Sequence, residues 1–275
     1  MVQNFHLPPV GYGPGSQPAP EEGGELEYME MPGDMRTFEA RIPMVDDTNH
    51  LRPALALLAE VADVAERVAQ QGGTEVVDLS GLDAANRGLV AETMGEGEVA
   101  MKIRGLPALS VQESVFAGVW SVTGAGLDQL EIGAVPEASR TRAFEPFRRA
   151  ADLPKAPGVV NAPALIAELQ EKSAAAPGPL HVINLTLLPH TEADLAWLEE
   201  RLGQGSTDIL SRGYGNCRVR ATALPRVWRV QFFNSMDTLI LDTFEVTDMP
   251  EVALAAPEDI ADSAERLREV IGAIQ

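Results

Sequence analysis

A shift of 108 residues lays this chain over itself, and that self-likeness limits its fold more than any other feature. Gly95 and Gly97 fall on Gly203 and Gly205, Arg104-Gly105 on Arg212-Gly213, Val111 on Val219, and Val119-Trp120 on Val227-Trp228. Upstream, Val77 and Leu79 fall on Leu185 and Leu187 at the same shift, while Pro53-Ala54-Leu55 matches Pro163-Ala164-Leu165 at a shift of 110. The matches keep their order and nearly their spacing. The period is too long for a solenoid, so the expectation is one structural unit occurring twice.

Hydrophobic periodicity gives the unit its content. Leu55, Leu58, Val61, Ala62, Ala65 and Val68 recur at helical spacing, which predicts a helix over 51–70 stopped by Gly72-Gly73. A short strand at 75–79 and a helix at 83–94 follow, then strands at 98–104, 111–122 and 127–134. The second copy repeats the order: a helix at 162–175, a strand at 180–187, a helix at 192–202, and strands at 207–211, 217–223, 227–233 and 238–246. Pro257 opens a closing helix to Ile274. The expected fold is α+β: two tandem α-β-α-β-β-β units with largely antiparallel sheets, related by a pseudo-twofold axis. The boundaries expected are a disordered, acidic, Gly/Pro-rich segment at 1–35, a first, degenerate unit at 36–135, a connector at 136–160 with a short helix near 140–150, and a second unit at 161–275. Residues 37–44 (TFEARIPM) alternate as a strand does.

Composition closes off several functions. A formal charge of −20 over 275 residues opposes general nucleic-acid binding, which needs Lys and Arg against phosphate. No apolar run approaches the roughly 20 residues that span a bilayer. The N-terminus lacks a basic region followed by an apolar stretch, so no secretion signal is read and the cytoplasm is the expected compartment. A single cysteine excludes an internal disulfide.

Charge shows where the copies differ. Between Thr207 and Phe233 stand Arg212, Arg218, Arg220, Arg226 and Arg229 against Asp208, whereas Val99 to Ala125 holds Lys102 and Arg104 against Glu113. Strand alternation places Arg218 and Arg220 on one face and Cys217 on the other, with Arg229 pointing away from Trp228. The arginines form either a partner-facing patch or a solvated face paired with local acids. Cys217 is either a small buried hydrophobe or a transient metal or redox group. Its spacing to His181 and His190 is not that of a metal site. The glycines of Gly213-Tyr214-Gly215 read as turn residues and lack the ending of a phosphate loop. Asn234-Ser235-Met236-Asp237-Thr238 is a run of turn formers. No nucleophile–base or paired-carboxylate pattern points to an enzyme, and no cofactor is expected.

At RGYGNCRVRATALPRVWRVQFFNSMDTLILD the sequence resembles the C-terminal region of the HupH/HyaF family of hydrogenase expression/formation proteins. The resemblance is dense over 202–242 and looser over the first copy, which lacks GYGNCR. It implies an accessory protein, not an enzyme, for maturation of an uptake [NiFe] hydrogenase. It further implies binding to the precursor of the iron–sulfur small subunit before twin-arginine export, beside a thioredoxin-like companion. An iron–sulfur or metal carrier that uses Cys217 is the alternative. The resemblance marks Gly213, Tyr214, Gly215, Asn216, Cys217 and Asp242 as motif positions. The partner-binding candidates are Arg218, Arg220, Trp228, Arg229, Asn234, Ser235 and Asp237.

Overall fold

The ten strands among the described residues lie in one antiparallel sheet. The structure, a computed structural model, describes residues 49–175, 178–213 and 215–274. The expected N-terminal segment and the strand at 37–44 lie outside the described residues. Helix α1 (Arg52–Gln71) leads into β1 (Thr74–Asp78), and α2 (Ala84–Met94) into β2 (Val99–Ile103), β3 (Leu109–Glu113), β4 (Val119–Gly124) and β5 (Leu127–Gly133). A short helix α3 (Glu137–Thr141) opens the connecting stretch. Then come α4 (Ala162–Ala174), β6 (His181–Asn184) with a 3-10 turn (Leu185–Leu187), α5 (Glu192–Leu202), β7 (Thr207–Ser211), β8 (Asn216–Ala221), β9 (Val227–Phe233), β10 (Leu239–Val246) and α6 (Pro257–Ile274). The expected α-β-α-β-β-β unit is thus one strand short: the second half has the four closing strands expected between 207 and 246, and the first half has four where three were expected. In the first half the predicted long strand over 111–122 is a hairpin. Ser114 turns it there: its hydroxyl donates to the Phe116 carbonyl and accepts from the Phe116 N–H.

Strand order is β1-β5-β4-β3-β2-β7-β8-β9-β10-β6, which reads alike from both edges once β1–β5 are matched to β6–β10. The seam is the β2–β7 pair. There Met101 faces Ile209, a pair separated by the repeat shift itself, so an approximate twofold axis runs between them. The expectation of separate sheets is corrected accordingly. Each half joins its neighbour through the strand that would otherwise be an open edge, and an open edge exposes unpaired backbone groups.

Pairing registers fix the equivalences. From β2 to β4 the shift is 108, but Ile132 and Val246, each opposite the first residue of the preceding strand, are 114 apart. Six extra residues therefore lie in the second half's β9–β10 hairpin. The β4–β5 hairpin turns on Ala125-Gly126 between Gly124 and Leu127, whereas Phe233 and Leu239 enclose Asn234 to Thr238. At β1 and β6 the shift is 106, so Val77 and Leu79 match Ile183 and Leu185, all buried. The sequence match to Leu185 and Leu187 is two residues out. It survived because a slip of two keeps every side chain on its own face, but Leu187 is exposed where Leu79 is not.

Repeated hydrogen bonds hold the two frames. The indole N–H groups of Trp120 and Trp228, both fully buried, donate to the Gly133 carbonyl at 2.9 Å and the Thr247 carbonyl at 3.1 Å. The third residue of each half's second helix braces the start of its first. Asn86 accepts from the Ala54 N–H (3.0 Å), and Asp194 accepts from the N–H groups of Val160, Asn161 and Ala162 (2.8–3.0 Å). Gly118 and Arg226 occupy the same left-handed turn position, with φ of 78° and 64°. Glycine adopts that conformation without strain, whereas the arginine is tied down by Asp248.

The two faces of the sheet are used differently. One buries Met101, Val111, Val122 and Trp120 with Ile209, Val219, Val230 and Trp228. The connecting stretch lies against it: Phe144 packs edge-on to Trp228 at 5.1 Å, and Thr207 donates to the Ser139 carbonyl. On the other face α1 packs on β1 and β5, over Val77, Leu130 and Ile132. There α4 and α5 enclose Ile183, Val227, Phe244 and Val246. The helices thus cover both flanks of this face and leave its four central strands open.

Candidate functional site: an arginine-lined trough

The uncovered stretch is a groove of about 430 Å³ across β3, β2, β7 and β8. Its floor follows from strand alternation. Lys102 pairs with Asp208, Asp208 with Arg220, and Leu210 with Arg218, so all five point to the open face, opposite the buried Met101, Ile209 and Val219. Ser110 and Gln112 line the first half's side, and Arg218, Arg220 and Gln231 the second half's. Arg212 stands at the rim. Neither Lys102 nor Arg212 has an ion-pair partner among the described residues. Asp208, the acid on the floor, is already engaged by Arg104, with Arg220 at 3.9 Å. The trough is therefore cationic on a strongly acidic chain.

The predicted residues divide by position. Arg218 and Arg220 are exposed, with side chains 50% and 49% accessible. Arg218 lies over the Phe233 ring at 4.4 Å and pairs with Asp237 at 3.1 Å, which ties the trough to the hairpin loop. Arg229 shares their face but is not exposed, and this corrects the sequence expectation. Its side chain is 12% accessible, clamped by both oxygens of the buried Asp242 (3.0 and 2.7 Å) and by Glu199 of α5. Burial works against its charge, but the carboxylates of Asp242 and Glu199 outweigh that and raise its pKa above the usual arginine value. Asp242 also accepts from Gln231 and, through its own N–H, donates to Thr186. This network fixes the trough wall and leaves little of Arg229 accessible. Trp228, expected at the partner surface, is fully buried beneath the opposite face and serves the core.

Asn234 builds the loop: its side-chain oxygen accepts from the N–H groups of Met236 and Thr238, each at 2.9 Å. Ser235 and Asp237 are exposed beside it, and Asp237 takes a left-handed φ of 57°. Gly213 packs against Glu98. Gly215, at φ 93°, lies so close to the Phe233 carbonyl that a side chain would be forced against it. Asn216 pairs with Phe233 at the start of β8. Tyr214 lies outside the described residues. Cys217 is buried on the closed face, and burial, with the charge of Glu245 adding to it, pushes its thiol up to about 12. A protonated, enclosed thiol is poorly suited to transient metal transfer, which uses the thiolate. Among the described residues no cluster of three or more His, Cys, Asp or Glu could hold a metal ion, and no helix is long and apolar enough to cross a membrane.

Sequence reasoning missed the first half's share of the site. Lys102, Ser110 and Gln112 line the trough because the halves share a sheet, and nothing within either copy announces the seam.

Comparison with known proteins gives this geometry its context. The model for the C-terminal conserved region of the HupH hydrogenase expression protein matches twice, over residues 51–150 and 159–274. The hydrogenase expression/formation protein HupH of Rhodobacter capsulatus is 65% identical over 278 residues that span both chains in full. HoxQ of Cupriavidus necator, also a hydrogenase expression/formation protein, is 43% identical over 279 residues, 98% of each chain. The hydrogenase-1 operon protein HyaF of Escherichia coli is 33% identical over 276 residues, 97% of this chain and 95% of its own. With both halves matching one family model and near full-length likeness to several members, the chain belongs to the HupH family of hydrogenase expression proteins.

Proposed function

We propose that this protein assists maturation of an uptake [NiFe] hydrogenase by binding its immature iron–sulfur small subunit before twin-arginine export, with the trough as the docking surface. The observation that carries the reading is the cationic row of Lys102, Arg212, Arg218 and Arg220, presented on an open sheet face of a chain with charge −20. Guanidinium forks on a rigid sheet suit the capture of carboxylates on a folding client. They offer recognition, not bond making, so the protein acts as a chaperone in this reading. In this reading residues 36–135 are the first, degenerate unit, 136–160 the connector and 161–275 the second unit, which brings the arginines of the trough, and a thioredoxin-like accessory protein is the companion.

The test is Arg218→Ala with Arg220→Ala. Both residues are exposed, so stability should stay within about 1 kcal/mol of wild type. Binding to purified small-subunit precursor should weaken at least tenfold, and more at low than at high salt, as screened charges require. Unchanged binding and full hydrogenase maturation in cells carrying the double variant would remove the trough from consideration.

A further inference from the structure

The six residues added to the β9–β10 hairpin do more than lengthen a turn. They carry large apolar side chains into solvent: Met236 is 83% and Ile240 56% accessible, with Leu239 exposed beside them. β6 ends at the Asn184–Thr243 pair, and Ile240 falls in a register irregularity of β10. The 3-10 turn takes over where β6 stops. Thr186 accepts from the Asp242 N–H at 2.8 Å, so the exposed Leu187 and Leu188 lie along the same end of β10. The loop is built and not loose, since Asn234 holds two of its N–H groups and Asp237 is anchored to Arg218. The first half's hairpin, closed by Ala125-Gly126, has no such tip. Contiguous exposed apolar groups on a soluble protein mark interaction sites.

We infer that this tip is a second contact for the client of the trough: a polypeptide stretch whose apolar side chains seat on Met236, Leu239, Ile240 and Leu187 while neighbouring carboxylates reach Arg218 and Arg220. This rests on the proposed function. Charge selects the occupant. The tip adjoins the cationic trough through the Arg218–Asp237 pair and the Phe233 ring, so a segment both apolar and acidic satisfies both surfaces. A second copy of a chain of charge −20 is opposed by its own charge, as is an anionic bilayer.

The experiment uses the full chain with Met236→Gln and Ile240→Gln, which remove apolar groups without adding charge, and separately Arg220→Glu, against purified small-subunit precursor in a biosensor assay. Both proteins should bind at least tenfold more weakly. The tip variant should keep its thermal midpoint, and its loss should change little with salt, whereas the loss in Arg220→Glu should shrink as salt rises. If Arg220→Glu weakens binding and the tip variant does not, the tip inference fails and the proposed function stands. If neither weakens it, the trough falls and takes the tip with it. A loss in the tip variant alone overturns the shared segment. So does a marked drop in its midpoint without client, which means that the chain covers its own tip. A wild-type dimer that the tip variant dissociates overturns the inference too, as does flotation on phosphatidylglycerol vesicles that the tip variant abolishes.

Discussion

Laid on one another, the two halves agree where the backbone is held and differ where side chains face outward. Trp120 and Trp228, Ser114 and Thr222, and Asn86 and Asp194 make matching bonds to matching backbone groups. On the open face Ser110, Gln112 and Ser121 stand where Arg218, Arg220 and Arg229 do. A bond to the backbone constrains the fold in both copies, whereas an outward row constrains only what meets it. Divergence has therefore gathered in the trough and at the hairpin tip.

The comparison can be broken most forcefully at its tryptophans. Trp120→Ala and Trp228→Ala should each cost about 3–5 kcal/mol, as large aromatic truncations in a core do. Urea unfolding that shows one costly and the other nearly neutral would mean that the frames are not equivalent. A sharper contrast lies at the matched acids Asp242 and Asp128. Asp242→Ala leaves the largely buried Arg229 with only Glu199, and should cost about 3 kcal/mol, the lower end for breaking a buried pair. Asp128 meets Arg87 at the surface, so Asp128→Ala should cost less than about 1 kcal/mol.

Titration separates the halves next. Burial pushes the Glu113 carboxyl up to about 7, with Glu98 and Asp259 adding to it against the Gly118 N–H, where the second half has Ala221. Its folded form holds a proton that the unfolded form has lost, so stability should fall as pH rises from about 4.5 toward 7. Glu113→Gln should flatten that slope in denaturant titrations. Asp194 has the opposite sign. Burial would raise its pKa, but the N–H groups of Ala162, Thr191 and Val160 outweigh it and hold the carboxyl below the usual range. Its contribution is present above about pH 4 and lost as the pH falls through the folded value. Asp194→Asn should therefore reduce acid sensitivity, and Asn86, its counterpart, confers none. The smallest effect concerns the rows themselves. Arg218→Ser with Arg220→Gln, which copies the first half, should move stability by less than about 1 kcal/mol. Adding Ser110→Arg and Gln112→Arg to that background then asks, by client binding, whether the trough reads charge alone or charge in one half.

Much of this was legible beforehand, for physical reasons. The 108-residue shift and the periods of 3.6 and 2 located the helices and most strands, because burial on one face writes itself into alternation. Alternation also put Arg218 and Arg220 on one face and Cys217 on the other. It could not show that Arg229 is enclosed, since the enclosing Asp242 and Glu199 come from a neighbouring strand and a helix 30 residues away. Nor could it show the seam. Pairing between β2 and β7 is a long-range choice among compatible edges, and the hairpin insertion was hidden until registers gave a shift of 108 on one side and 114 on the other.

The Met101–Ile209 seam has a consequence in the language of assembly. A twofold-related strand pair is an isologous contact, the kind by which two identical chains form a closed dimer. Identical chains must carry every substitution twice, so an arginine added to one side of the dyad appears on the other. Joining the halves in one polypeptide lifts that constraint while the geometry of the dimer stays. Here a single chain has used that freedom to set arginines on one bank of a shared trough and a single lysine with Ser110 and Gln112 on the other.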